Sequence, residues 1–554
     1  MPSDNEIARQ VHLKPIAKVA DQLGIDSLDL LPYGKEMAKV HINALHRPSR
    51  KKGQLILISS TTPTAAGEGK TTTSIGLGQA LAKLDKSVCL ALREPSIGPC
   101  LGMKGGATGG GYSQILPADR INLHFTGDFH AIASANNLLS AVIDNHIYHG
   151  NDLNIDPRQV LWRRVIDMND RSLRHIILGL GGKQQGVPRE GGFDISAASE
   201  VMAMLCLASD LSDFCQRLEN TLVAFTYSGD PVFAKQLQVT GAMLALLRDA
   251  IHPNLVQSME GVPALVHGGP FANIAHGCNS LLATRMAQHY ADWVITEAGF
   301  GFDLGAEKFF DIKCRTGGLD PQAVVLVTTT RALKLHGGKM KEKLGDKDLP
   351  ALRKGLANLD KHIESVRKFN KHPVVAVNLF DGDNNAELEL IKARCQDLNT
   401  PCAICDHYAT GGKGAIDLAK QVMKVSSQSR PYRPLYPLDM MVEEKVRIIC
   451  REIYGADDVA FTKQAARDLL QVQTLGFDQL PICIAKAPSS LSDNPSLYGR
   501  PRHFDITVRG IQINSGAGFL VVLTGDILRM PGLPKHPSAE RWQLRKDGSI
   551  IGLD

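Results

Sequence analysis

No run in the 554-residue chain approaches the about 18 apolar residues that a membrane-spanning helix requires. The opening stretch MPSDNEIARQVHLKPI has neither the basic region nor the apolar core of a signal peptide. A cytoplasmic protein with no membrane partner is the expectation. One-sided charge is also scarce: 62 basic side chains nearly cancel 57 acidic ones, for a net +5, and no long basic block occurs. Nucleic acid is therefore not an expected partner. Internal repeats and low-complexity tracts are absent. Eleven cysteines are scattered, mostly in apolar contexts such as SVCLAL around Cys89 and PICIA around Cys483. That suits buried thiols in a reducing compartment better than a disulfide framework. Cys402 and Cys405 form one CxxC, without the second pair or the spaced histidines of a zinc site.

The rest of the composition is that of a globular protein, with 44% apolar and 21% charged residues and three tryptophans. The length predicts two to four domains. Apolar, β-branched runs at 54–60, 87–92, 175–182, 222–229, 292–299, 323–330 and 374–381 end in glycine, charge or a turn, and helical periodicity often follows. Runs of this kind predict a parallel sheet in an α/β fold. Between them, 200–219 is expected as a helix, with Met204, Leu207, Leu211, Phe214 and Leu218 forming a core stripe. The charged segment 339–369 is expected to be an exposed helical connection, and the proline-rich 429–439 a linker. The expected units are thus 1–345, with 150–255 as a candidate inserted subdomain, then 346–430 and 431–554.

Ligands of open α/β sheets gather at the carboxyl ends of the strands. After QLILISS comes TTPTAAGEGKTTTS, which ends like a phosphate loop but has Thr64 where the first glycine of G-x-x-x-x-G-K-[ST] stands. Gly67 and Gly69 supply permissive backbone, Lys70 opens an amphipathic helix, and Thr71 or Thr72 can bind magnesium. Backbone N–H groups, a helix N-terminus and an ammonium converging on an anion make such a cradle. A capped helix start with a surface lysine is the bland alternative. After the next strand come Arg93 and Glu94, then GMKGGATGGGY, with six glycines and Lys104 in eleven residues. Close approach of backbone to a ligand accounts for that run better than a flexible linker does.

REPSIGP with GMKGGATGGGY, and VTTTRALKLHGG at 327–338, resemble the diagnostic segments of formate–tetrahydrofolate ligases. The resemblance continues through TPTAAGEGKTTT, FTGDFHAI, HGGPFANIAHGCNS, TEAGFGFDLGAEKF and MPGLPKHP, over nearly the whole chain. It implies a multi-domain α/β protein with a variant P-loop NTPase-like parallel sheet core and smaller α/β domains. The length is that expected of the monofunctional form, without a dehydrogenase–cyclohydrolase domain. The implied reaction joins formate to tetrahydrofolate at the expense of ATP, through formyl phosphate, in a homotetramer activated by a monovalent cation.

By that resemblance, Thr62, Pro63, Thr64, Ala65, Ala66, Gly67, Glu68, Gly69, Lys70, Thr71 and Thr72 cradle Mg-ATP, with Thr71 the magnesium candidate. Arg93, with Lys104, Gly105 and Gly106, is expected to hold formate and then formyl phosphate, because a guanidinium fork matches both anions. Lys70, Arg93 and Glu94 are the expected catalytic groups. Glu94 and Asp128 resemble the cation site, while Glu94 as a plain ion-pair partner of Arg93 is an equal alternative. Phe380 matches a phenylalanine that flanks the folate ring, Tyr408 stands where the family often has tryptophan, and Phe300 could line a substrate pocket. Departures are small: Ala65 replaces proline, Thr108 an alanine, Asp381 a proline and Asp526 a glutamate. His130, His267, His276 and His336 lie in matched segments, but an amine of low basicity can lose its proton late, so no histidine base is required. Two rivals remain on residues alone: another carboxylate-activating ligase, or a nucleotide-switch ATPase.

Overall fold

The computed structural model describes residues 3–48, 52–64, 67–104, 107–525 and 527–552, with Lys104 through its backbone alone. Its centre is a 12-stranded sheet. A parallel run crosses it in the order Pro263–Val266, Val88–Leu92, Trp293–Glu297, Gln54–Ser60, Ala323–Thr328, Pro373–Asn378, Cys402–Cys405. These strands are apolar and β-branched because helices cover both faces, and nearly all their residues are buried. The expectations at 54–60, 87–92, 292–299, 323–330 and 374–381 correspond to strands of this run.

The sheet is mixed, not parallel throughout. Asn254–Ser258 and Pro263–Val266 are joined by a short turn, which forces antiparallel pairing. Met37–Val40 and Leu30–Tyr33 then continue the sheet antiparallel. The strands of the expected 346–430 unit also pair directly into this sheet. Backbone hydrogen bonding thus makes them continuous with the nucleotide-loop strand instead of setting them apart.

Two expected core strands lie elsewhere. Ile176–Leu178 forms a small ribbon with Arg189–Gly191, because Gly179, Gly181 and Gly182 take positive φ and turn the chain at once. Leu222–Thr226 joins an antiparallel three-stranded sheet with Pro231–Phe233 and Ile155–Val160. That sheet and its helices share a core around Met202, Phe214, Val223 and Met243. The expected helix 200–219 is two helices, Glu200–Leu207 and Leu211–Glu219. Asp210 breaks it by capping the second, accepting from the Asp213 N–H. Leu211 is consequently exposed.

The segment 339–369 is no exposed connection either. Helix Leu349–Lys368 buries Leu352, Leu356, Leu359, Ile363 and Val366, whose spacing of three and four makes one apolar stripe. Gly355 lets it meet the preceding helix Thr330–His336, since a Cβ there would lie 1.7 Å from the Leu333 carbonyl oxygen. In the expected linker 429–439, Tyr436 is buried under the Arg315 guanidinium, 4.8 Å away, and its hydroxyl accepts from the Ile482 N–H. Among the described residues no helix is long and apolar enough to cross a membrane.

Beyond Tyr436, strands Ile482–Ala485, Phe519–Leu523 and Gly510–Asn514 form a sheet whose hairpin turn docks on helix Glu200–Leu207. One oxygen of the buried Glu200 accepts from the N–H groups of Gly516 and Ala517. Burial raises its pKa from 4.5 to about 7, against those two hydrogen bonds and the Arg529 charge. Between these values the folded protein holds a proton that the unfolded chain has released, so stability falls as pH rises through that window. Glu200→Gln should therefore gain on the parent in thermal unfolding midpoint as pH climbs from 4.5 to 7, and hold that gain above 7. A difference that does not change with pH would remove Glu200 titration from the stability of this interface.

Candidate functional site

Three adjacent parallel strands, Val88–Leu92, Trp293–Glu297 and Gln54–Ser60, bring their carboxyl ends to the same edge of the sheet. Gln54–Ser60 runs into the phosphate-loop sequence, and helix Lys70–Lys83 follows. Gly67 and Gly69 sit at φ 81° and 74°, where a side chain is disfavoured. A Cβ on Gly69 would also meet the Asn378 amide at 2.8 Å. Ala65 and Ala66 lie outside the described residues, as do Gly105 and Gly106 of the second loop.

What shapes the loop in place of the missing glycine is Glu68. Its buried carboxylate accepts from the Thr64 N–H at 2.7 Å and from the Thr329 hydroxyl at 2.6 Å. The Gly67 N–H donates to the Thr64 carbonyl, closing the turn. Asn378, at the end of strand Pro373–Asn378, donates to the Glu68 carbonyl and accepts from the Thr73 hydroxyl. The Glu68 side chain thus braces the loop from within.

The loop entrance is held from far away in sequence. The Thr62 hydroxyl accepts from the Asn358 amide at 3.0 Å and faces His362 Nε2 at 3.0 Å. Its carbonyl faces His336 Nε2 at 2.8 Å. Because the Gly499 N–H donates to His336 Nδ1, the His336 proton resides on Nε2 and points at Thr62. Burial lowers the pKa of both rings, that of His362 to about 4, which keeps them neutral here. Sequence reasoning missed Asn358 and His362 because they lie in the helix taken as an exposed connection.

Lys70 opens its helix with the ammonium 3.4 Å from the Ser60 hydroxyl. Thr71 donates to Glu297 Oε2 at 2.8 Å. Arg93 lies on the other side of the same carboxylate, its Nε 3.9 Å from Glu297 Oε1, and its Nη1 donates to the Pro270 carbonyl. Glu297, at the end of strand Trp293–Glu297, is buried.

Glu94 is not the ion-pair partner of Arg93. It is buried beside Asp128, and one of its oxygens has no hydrogen-bond partner. Burial, reinforced by the Asp128 charge and opposed by Lys39, pushes Glu94 well above the usual carboxylate range. Asp128 is held by the buried Lys39 ammonium at 2.6 Å and by the Asn254 amide. Two neighbouring carboxylates, one with an orphaned buried oxygen, have the chemistry to take a monovalent cation, so this pair fits the cation reading.

The aromatics stand along the same sheet end. Phe380 follows strand Pro373–Asn378 and is 37% exposed, with the Arg331 guanidinium 4.5 Å from its ring centre. Tyr408, 41% exposed, follows the adjacent strand Cys402–Cys405, and its hydroxyl donates to Asp4. The glycine run is partly explained here by packing: Cβ atoms on Gly110 and Gly111 would strike Tyr408. Phe300 holds a left-handed φ of 56°, and its carbonyl accepts from the Ser60 hydroxyl beside the loop. Among the histidines, His267 is occupied by Ser280 and the Ala250 carbonyl, and His130 is exposed. His276 is buried with neither ring nitrogen hydrogen-bonded.

Replacing Glu68 by alanine strands two buried donors, the Thr64 N–H and the Thr329 hydroxyl. The expected result is a weakening of ATP binding by about tenfold, measured by titration calorimetry, on the scale of a lost buried hydrogen bond to a charge. Unaltered affinity would mean that the loop keeps its shape without this carboxylate.

A comparison with protein families identifies one model that covers residues 2–554, described as formate–tetrahydrofolate ligase.

Proposed function

The chain belongs to the formate–tetrahydrofolate ligase family, and on that premise we propose that it makes 10-formyltetrahydrofolate through a formyl phosphate intermediate. As a family member it is an ATP-dependent ligase of formate and tetrahydrofolate. The observation that carries the finer reading is Arg93 standing across Glu297 from the phosphate loop. An anion-binding guanidinium next to a phosphate cradle suits a reaction in which a carboxylate meets a γ-phosphate.

Formate is a weak electrophile and an anion. In the proposed first step a formate oxygen attacks the γ-phosphorus of Mg-ATP, the bond to ADP breaks, and formyl phosphate forms. Lys70 and the loop N–H groups neutralise the transferring phosphoryl oxygens, and Arg93 holds formate in line. Lys104 and its neighbours Gly105 and Gly106 complete the proposed anion pocket. The amine of tetrahydrofolate then attacks the formyl carbon and phosphate leaves, accepting the amine proton. His267 and His336 spend their ring nitrogens on structural hydrogen bonds, which favours a route without a histidine base.

Phe380 and Tyr408, half-exposed on neighbouring strand ends, are the proposed stacking surfaces for the pterin, with Phe300 on the nucleotide side. Glu94 and Asp128 would hold the monovalent cation, which would supply a fixed positive charge beside Arg93's strand end. Thr71 is the proposed protein ligand of the nucleotide's magnesium, and the proposed assembly is a homotetramer.

ADP release measured with formate or tetrahydrofolate omitted in turn should collapse in either case. ADP formation indifferent to both omissions would end the ligase reading. Separately, Arg93→Ala should bind ATP almost as the parent does while formyl transfer falls by at least about 100-fold, the scale of losing a transition-state donor. Undiminished turnover in that variant would take Arg93 out of the mechanism.

A further inference from the structure

Glu297 belongs to no part of the phosphate loop or of the formate motif, yet it is the group both reach. Its strand lies between those of the loop and of Arg93, with Glu297 paired to Ile58 and Thr296 to Ala91. Its side chain is buried at the seam. One carboxylate oxygen accepts from Thr71 at 2.8 Å. The other faces Arg93 Nε at 3.9 Å, and that buried Nε has no hydrogen-bond partner. An unpaired buried N–H next to a carboxylate is a donor whose nearest acceptor is already in place.

We propose that Glu297 is a positioning residue that sets the phosphate-loop threonine and the formate arginine in one register. The proposal rests on the ligase reading above and adds a residue to it. A formyl phosphate forms only if the formate oxygen and the γ-phosphate are held in line, and small displacements of either partner are costly. Here the two proposed anchors, Thr71 for the metal-bound phosphates and Arg93 for formate, lie on different elements, the first turn of helix Lys70–Lys83 and the end of strand Val88–Leu92. One carboxylate between them removes that independence. Phosphate-loop enzymes hold the nucleotide's magnesium with a loop Ser or Thr and a strand-end carboxylate. Glu297 shares two features with such a carboxylate: it ends a strand, and it accepts from the Thr71 hydroxyl. A neutral isostere keeps the size and the hydrogen-bonding capacity toward Thr71 but loses the charge that both Arg93 and the metal require.

The test compares Glu297→Gln and Glu297→Asp with the parent in three measurements. These are ATP affinity with and without Mg2+, steady-state formate KM and kcat, and thermal unfolding midpoint. In Glu297→Gln, ATP affinity in EDTA should stay within about twofold. The gain in ATP affinity on adding Mg2+ should shrink, formate KM should rise by about tenfold, and kcat should fall by at least as much. Glu297→Asp should recover part of the Mg2+ gain but not the formate KM, because the shorter side chain keeps its charge and loses its reach to Arg93. Formate KM and Mg2+ gain both within about twofold of the parent in Glu297→Gln would overturn the proposal. So would a loss of EDTA-state ATP binding together with a lowered unfolding midpoint, which marks a structural role alone. If the parent itself shows no formate-dependent ADP formation, the ligase reading fails, while the Mg2+ gain still decides whether Glu297 serves the nucleotide.

Discussion

A loop that must have its shape before anything binds needs its backbone held in place, and in the loop after Gln54–Ser60 that constraint falls on Glu68. A loop with threonine in place of the first glycine cannot turn by backbone freedom alone at that point. Glu68 supplies the turn instead, by taking the Thr64 N–H and the Thr329 hydroxyl on its two oxygens. The same contact ties the loop to the end of the neighbouring strand Ala323–Thr328, whose loop carries Thr329. Asn378, from the next strand, fixes the Glu68 backbone. The cradle is therefore a property of three strand ends, and the helix of Lys70 and the aromatic after Asn378 inherit their positions from it.

Buried carboxylates crowd this end of the sheet, and each is accommodated differently. Glu68 is satisfied by neutral donors. Glu297 is shared between a hydroxyl and a guanidinium. Asp128 has the Lys39 ammonium, and Glu94, left with an orphaned oxygen, has its pKa raised by burial and by the Asp128 charge. Two cations stand against these carboxylates, Lys39 on Asp128 and Arg93 near Glu297.

Much of this was legible in the sequence where burial on both faces wrote continuous apolar runs. The five runs that became parallel strands of the main sheet, and the loop after Gln54–Ser60, are of that kind. The run at 175–182 was misread because its glycines, which looked like a strand-end loop, fold the segment into a ribbon at the surface. Helix Leu349–Lys368 was misread because its charged face outnumbers its apolar stripe, and with it Asn358 and His362 were lost. Glu297 falls in the matched segment TEAGFGFDLGAEKF, but nothing in its residue type or spacing marks it there: a glutamate ending an apolar strand is common, and which strands flank it is set only by the fold. For Glu94 the residues left two readings level, beside Asp128 or paired with Arg93, and the structure places it beside Asp128.

The tethering of Thr62 also bears on how the molecule comes to be made. His336, Asn358 and His362 lie 274, 296 and 300 residues away along the chain, and Gly499, which orients His336, lies further still. Contacts of such separation form late, because the loop-closure entropy must be met before they can contribute. A growing or refolding chain can assemble the strand and helix around the cradle early, but the entrance of the cradle acquires its shape only when the distal segments have docked. The shape of this loop entrance and the completion of the tertiary fold are then linked, since the entrance is held by segments that come from the far part of the chain.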